Sequence, residues 1–262
     1  MKSRKSAGES EEIIGPARQF DEIAFLYDEL MAAVPYDSWV EYVQCILSKF
    51  DYHPRTILDL CCGTGGAGLL LAETGYQVSG VDISSCMVDI AKRKAAGKGL
   101  SVDYCVQDVS SLRLRRRFDL ILSLFDSLNY ILESSVLQQT FHRISEHLQP
   151  GGLLIFDMNT ELAFTAGLFD QNNLGSKASV VYDWHSSYDP TARICRIRME
   201  FAHKRHGVER CTEVVHYQRA YDEREIVGML ECAGLQVLAV YDAYTLRQAS
   251  SRSDRIFFVA RK

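Results

Sequence analysis

No apolar run in this 262-residue chain approaches the ~20 residues that a membrane-crossing helix needs. The opening MKSRKSAGESEE is charged and polar and lacks an apolar core, so it does not read as a secretory leader. Positive charge is also short: 29 Lys and Arg stand against 34 Asp and Glu, a net charge of -5. That balance disfavours a nucleic-acid binder held by bulk electrostatics. Eight cysteines are present but none forms a Cys-x-x-Cys pair, and several lie inside apolar runs. They read as buried thiols in a reducing compartment. No cluster has metal-ligand spacing, so no metal is expected. No internal repeat is visible. These absences point to a soluble cytoplasmic protein with a disordered segment over residues 1–15. At 47% hydrophobic it has ample material for one large core.

The rest of the chain has a readable grammar. From Phe20 to Phe50 apolar residues recur at helical spacing, broken at Pro35, and Asp37 is a plausible N-cap for DSWVEYVQCILSKF. Strand patterns (RTILDL, YQVSGVD, LSVDYCV, FDLILSLF, LLIFDM) then alternate with helical stretches that close at Gly75, at Gly97 and at Pro150-Gly151-Gly152. Alternating strands and helices imply a parallel sheet covered on both faces. After Asn159 the period changes to two. In ARICRIRMEFA, Cys195, Ile197, Met199 and Phe201 share one face while Arg196, Arg198 and Glu200 share the other. With SVVYDWHSSY and VERCTEVVHYQ, and turns at Asp189-Pro190 and His206-Gly207, this predicts a three-stranded antiparallel sheet with one buried face. A helix follows, with Asp222 at its N-cap, Glu225 three residues on and Gly234 at its end, and then two strands that pair as a hairpin.

The most informative stretch is ILDLCCGTGGAGLLLAETGYQVSGVD, residues 57–82. Gly63, Gly65 and Gly68 follow a strand and open a helix, and Asp82 ends the next strand, where an acid takes ribose hydroxyls. A dinucleotide would place its pyrophosphate at this helix N-terminus. Asp59 argues against that: a carboxylate ~6 Å from a phosphate charge costs roughly 3 kcal/mol at an effective dielectric of ~20. A cationic ligand reverses the sign, and S-adenosylmethionine has the same adenosine with a sulfonium and an ammonium. Asp59 also reads as a capping residue inside the loop.

LDLCCGTGG, Asp82, VQDV with Asp108, FDLILSLFDSLNYI and LQPGGLLIFD occur in order and at suitable spacing. Together they resemble the class I S-adenosylmethionine-dependent methyltransferases, from about residue 20 to the end. The resemblance implies a Rossmann-like, seven-stranded, mostly parallel α/β sheet with an antiparallel last strand, and S-adenosyl-L-methionine as cofactor, released as S-adenosyl-L-homocysteine. It implies that Asp59, Cys61, Gly63 and Gly65 hold the methionine part and that Asp82 takes the ribose. Ile83 and Met87 would lie beside the adenine, Asp108 at its amino group and Val109 on its ring, while Leu124 and Phe125 end the fourth strand at the transfer point. FDEIAFLYDELMAAVPYDSWVEYV, DSLNYI and the antiparallel insert are similar to bacterial small-molecule N-methyltransferases of the aminosugar type. In that group helices and insert cover the site, which would bring Tyr27, Tyr36 and Trp39 over the methionine end. The expected organisation is a core of residues 16–176 and 219–262 with residues 177–218 inserted as a β-sheet lid.

Methyl transfer is an in-line displacement whose thioether leaving group needs no acid, so positioning the nucleophile supplies much of the rate. A neutral amine needs no strong base, whereas a hydroxyl or an acidic carbon benefits from one. The residues after the fourth strand, Phe125-Asp126-Ser127-Leu128-Asn129-Tyr130, form neither an Asn/Asp-Pro-Pro-aromatic motif nor a Pro-Cys motif. Asp126, Asn129 and Tyr130 are the polar candidates at the transfer point, or a capped turn. His216 and His185 lie on the insert, facing the site or structural. Cys61 and Cys62 read as packing residues. The basic run RLRRRFD, residues 113–119, precedes a strand and so lies at the wrong end of the sheet for a ligand; it reads as a solvated loop. The expected activity is methylation of a small molecule on an amine nitrogen, with O- or C-methylation, an NAD-dependent oxidoreductase and a non-catalytic S-adenosylmethionine binder as alternatives. The insert's arginines are also readable as recognising an acidic acceptor. No nucleic-acid or membrane partner is expected, and the chain is expected to be a monomer, or a homodimer through the insert.

Overall fold

The computed structural model describes residues 15–174, 179–205 and 208–262. Residues 1–14 of the segment expected to be disordered, and the turn expected at His206-Gly207, lie outside them. In chain order the elements are α1 (Pro16–Leu30), α2 (Tyr36–Lys49), β1 (Thr56–Leu60), α3 (Gly66–Glu73), β2 (Gln77–Asp82), α4 (Ser85–Gly97), β3 (Asp103–Val106), β4 (Phe118–Ser123), α5 (Ser134–His147), β5 (Leu148–Asn159), α6 (Glu161–Thr165), β6 (Gln171–Asn172), β7 (Val180–Asp189), β8 (Ile194–Arg205), β9 (Val208–Arg219), α7 (Glu223–Cys232), β10 (Gln236–Asp242) and β11 (Arg255–Arg261).

Seven strands form one sheet in the order β10-β11-β5-β4-β1-β2-β3. Pairs β1–β2, β1–β4, β2–β3 and β4–β5 are parallel, and β11 alone runs against its neighbours β5 and β10. Central strands are covered on both faces, which is why β1 and β4 read as near-continuous apolar runs. Leu58, Ile121, Phe156 and Phe258 pack with Phe141 of α5 and Leu230 of α7 on one face. Ile57, Leu122, Ile155 and Phe257 pack with Val43 and Ile46 of α2 on the other. Each such side chain contributes about 1.5–3 kcal/mol on burial.

The second sheet is antiparallel, in the order β6-β7-β8-β9. It has four strands where three were expected, because β6 is two residues long and too short for any period to register. Cys195, Ile197 and Phe201 are fully buried and Met199 nearly so, packed against Ile23, Ala24 and Leu26 of α1. Helix α1 is thereby a layer between the second sheet and the glycine loop. Two of its acids pin it there: Ser84 Oγ donates to Asp21 Oδ1 at 2.5 Å, and Asp28 accepts from Thr64 Oγ1 at 2.6 Å and from Lys94 Nζ at 2.9 Å.

Local chemistry departs from the sequence reading at three points. Helix α2 begins at Tyr36 with Pro35 at its cap, so Asp37 sits in the first turn rather than at the N-cap. Asp222 caps α7, accepting from Arg224 N–H at 2.9 Å, but Glu225 does not close a capping box; it accepts from Ser134 Oγ at 3.1 Å. Strand β4 ends at Ser123, two residues before Phe125, because the chain turns into the left-handed region there. The basic run lies before β4, with Arg117 Nε bonded to the Glu146 carbonyl at 3.1 Å and Arg116 over the Phe118 ring.

Candidate active site

The glycine loop turns sharply at the carboxyl end of β1. Cys61 has φ 56° and Gly65, which caps α3, has φ 80°. A Cβ at Gly65 would stand 2.6 Å from Tyr104 Oη, and one at Gly66 would stand 2.6 Å from the Tyr36 ring. The loop therefore needs glycine both for its backbone and for close approach. It borders a cleft of ≈ 370 Å³ lined by Tyr27, Tyr36, Asp59, Cys61, Cys62, Gly63, Thr64, Gly66, Ala67, Leu124, Phe125 and Ser127. Burial raises the pKa of both thiols, so neither is an activated nucleophile.

Asp59 is 3% exposed, and its Oδ2 has no hydrogen-bond partner. Desolvation, with the neighbouring charge of Asp82, pushes its pKa up to about 7. A buried carboxylate with an unused oxygen is a receptor for a cation. Asp82 ends β2 with both oxygens engaged: Oδ2 accepts from Gly63 N–H and Oδ1 from Ser84 N–H, each at 2.8 Å. Ile83 beside it is half-buried and Val109 is buried; Asp108 is exposed and accepts from Ser110 N–H at 2.8 Å. Met87 of α4 is buried in the apolar cluster to which α1 and the second sheet also contribute. Trp39 backs the cleft wall, stacked on Phe125 with ring centroids 4.0 Å apart.

On the other side of the cleft, Phe125 and Asp126 are consecutive left-handed residues, with φ of 64° and 50°. Such residues cost of order 1 kcal/mol or more each and persist only when the surroundings hold them. Here Asp126 N–H donates to Asp157 Oδ2 at 2.9 Å, Arg255 bonds both Asp157 and Asp126 (2.7 Å to the latter), and Gln218 Nε2 donates to Asp126 Oδ2 at 2.6 Å. Asp157 is fully buried, and desolvation pushes its pKa up to about 6 despite the guanidinium. The Asn129 side chain is fully buried; it donates to the carbonyls of Asn159 (3.1 Å) and Arg219 (2.8 Å) and accepts from Asn159 N–H (3.0 Å). Tyr130 Oη lies 3.0 Å from His216 Nδ1, with Phe20 of α1 packed on both rings. Burial drives the His216 pKa down to about 4.

The structure thus brings Asp126, Asn129, Tyr130 and His216 into one seam between core and second sheet. His185 points away: it is on the outer face of β7, exposed, 3.3 Å from Asp183. Arg198 is on that outer face too, bonded to Glu213 and Glu200. Arg255, Asp157 and Gln218 escaped the sequence reading. Asp157 left a faint signal as an acid inside the apolar strand LLIFDM.

A methyltransferase domain family model matches residues 57–152. A methyltransferase-named protein of Geobacillus sp. (strain WCH70) is 34% identical over 251 residues, spanning 93% of this chain and 99% of that one. An S-adenosylmethionine-dependent methyltransferase from Clostridium acetobutylicum ATCC 824 has the same fold at TM-score 0.82 and 28% identity, over 92% of this chain and 98% of that one. The chain belongs to the S-adenosylmethionine-dependent methyltransferases. The sugar N-methyltransferase KedS8 from Streptoalloteichus sp. ATCC 53650 also shares this methyltransferase's fold, at TM-score 0.76 and 18% identity over the full length of both chains. This kinship sets aside the oxidoreductase reading of the glycine loop. The residues of the methyltransferase fit the cofactor: the acidic Asp59 on the cleft suits a cationic ligand, and Gly63 and Gly66 line the cleft with no side chain to fill it.

Proposed function

We propose that this methyltransferase acts on an amine nitrogen of a small molecule. The observation that carries the reading is that the seam offers no ready base. Asp126 and Asp157 share Arg255, and His216, with a pKa near 4, is a weak base at neutral pH. A neutral amine attacks with its own lone pair, whereas a hydroxyl or a carbon acid would call on a base that this seam does not free. Arg255 is saturated by two carboxylates, and Arg198 faces outward, which disfavours an anionic acceptor. The likeness to a sugar N-methyltransferase points the same way.

The bound cofactor supplies an electrophilic methyl group on a sulfonium. In this reading Asp59, Cys61, Gly63 and Gly65 hold its methionine end and Asp82 its ribose. Ile83, Met87 and Val109 flank the adenine, and Asp108 takes the adenine amino group. Tyr27 and Tyr36, with Phe125 braced by Trp39 and Leu124 beside it, wall the methyl end and exclude water. Desolvation pushes the Tyr36 hydroxyl up to about 12 and the Tyr27 hydroxyl well above its ordinary value, so both remain neutral donors. Asp126 and Tyr130 orient the acceptor, held by Asn129 and His216. Residues 16–176 and 219–262 form the catalytic core, and residues 177–218 a lid that acts through α1. Transfer of label from S-adenosylmethionine across a panel of amines, hydroxyl compounds and carbon acids tests the reading. Label on nitrogen is expected; label confined to oxygen or carbon overturns it.

A further inference from the structure

We infer that Gln218 is a positioning residue, through which the second sheet sets the transfer end of the cleft. Gln218 is 1% exposed and both ends of its amide are used: Oε1 accepts from Asn159 Nδ2 at 3.2 Å and Nε2 donates to Asp126 Oδ2 at 2.6 Å. It approaches Asp126 from β9, while Arg255 approaches the other oxygen from β11. The carboxylate is gripped from two sheets at once.

What it grips is the strained turn. Asp126 and the preceding Phe125 are both left-handed, and Phe125 lines the cleft between Tyr36 and Trp39. Without an outside hold the turn relaxes toward ordinary backbone and the Phe125 ring leaves its stack. From the core sheet Arg255 holds Asp126 Oδ1 and Asp157 Oδ2 holds the Asp126 N–H, which leaves Asp126 Oδ2 to the second sheet. Among the described residues, the Gln218 amide is the contact that makes the geometry of the β4 turn depend on the second sheet through a side chain of the turn's strained residue. Because neutral amide and carboxylate bond without charge cancellation, the contact leaves the Asp126–Arg255 pair intact. The ionisable groups facing the amide are Asp126 and Tyr130 from the core turn, Arg255 and Asp157 behind them, and His216 two residues back on β9.

Gln218→Glu in the full chain tests this. A protonated glutamic acid can donate the same bond to Asp126; a glutamate cannot and repels it. With Trp184→Phe in the background, Trp39 is the sole tryptophan and its stack on Phe125 reports on the turn. Trp39 fluorescence of Gln218→Glu is expected to match the Gln218 protein at acid pH and to shift through one new transition as pH rises. Binding of S-adenosylhomocysteine is expected to stay within a few-fold throughout. Turnover is expected to fall on the order of ten- to a hundredfold on the alkaline side of that transition, as for a misplaced wall of a transfer site. A fluorescence profile identical to that of the Gln218 protein overturns the inference. So does loss, at acid pH, of a cooperative melting transition that the Gln218 protein keeps at the same pH, since the protonated side chain can make the same bond. Fluorescence and S-adenosylhomocysteine binding involve no acceptor, so this outcome is separate from the fate of the amine reading.

Discussion

Tyr130 Oη and His216 Nδ1 lie 3.0 Å apart, joining the turn after β4 to the edge strand of the second sheet. The two rings are 86 residues apart in the chain and share Phe20 of α1 as a common neighbour. Core, second sheet and α1 therefore meet at one hydrogen bond.

That bond has a pH signature. Folding lowers the His216 pKa from 6.5 to about 4, so the unfolded chain binds the extra proton between those values. His216 leaves stability unaffected above about pH 6.5 and costs stability as pH falls toward 4, by up to ~1.4 kcal/mol per pH unit. The difference between wild type and His216→Phe, measured by urea denaturation at several pH values, is expected to shrink as pH falls through that window. A difference constant with pH would show that His216 is not held neutral.

Asp59 carries the opposite sign. Its folded pKa is raised from 3.8 to about 7, so the charge costs stability as pH rises through that range, fully above 7. Asp59→Asn is expected to raise the Tm of the ligand-free protein relative to wild type, the gain growing from about pH 4 and levelling off above 7. The same substitution is expected to weaken S-adenosylmethionine binding by roughly 1–3 kcal/mol, read by calorimetry. Equal affinity in the two proteins would remove Asp59 from the cation's site.

Asp82→Ala removes a carboxylate that bonds the Gly63 N–H of the glycine loop and the Ser84 N–H at the start of α4. Cofactor affinity is expected to drop by ~1–3 kcal/mol. Unchanged affinity by titration would move the ribose elsewhere.

Arg255 separates two carboxylates, so removing it leaves buried like charges. Arg255→Leu is expected to destabilise by about 3–5 kcal/mol, and adding Asp157→Asn is expected to recover part of that loss. Chemical denaturation of the four proteins of the cycle measures the coupling. Additive effects would mean that the two groups do not share one site.

Much of the fold was legible locally. The strand-helix alternation, the glycine turn with Asp82 at the next strand's end, and the buried face Cys195–Ile197–Met199–Phe201 are short-range signals, set by periods of 3.6 and 2. The strand β6 was invisible because two residues carry no period, and the Glu225 capping box failed because Ser134, 91 residues away, offered another bond.

By itself the sequence determined which residues form the glycine loop and which side of each strand is apolar, because sterics and burial act on neighbours along the chain. Only the tertiary structure decided what the polar residues after β4 do. Placing β11 between β5 and β10 brings Arg255 to Asp157 and Asp126, 98 and 129 residues away, and laying β9 against the β4 turn brings in Gln218 and His216. Charge pairing and desolvation depend on distance in space, and at those separations no local pattern records them.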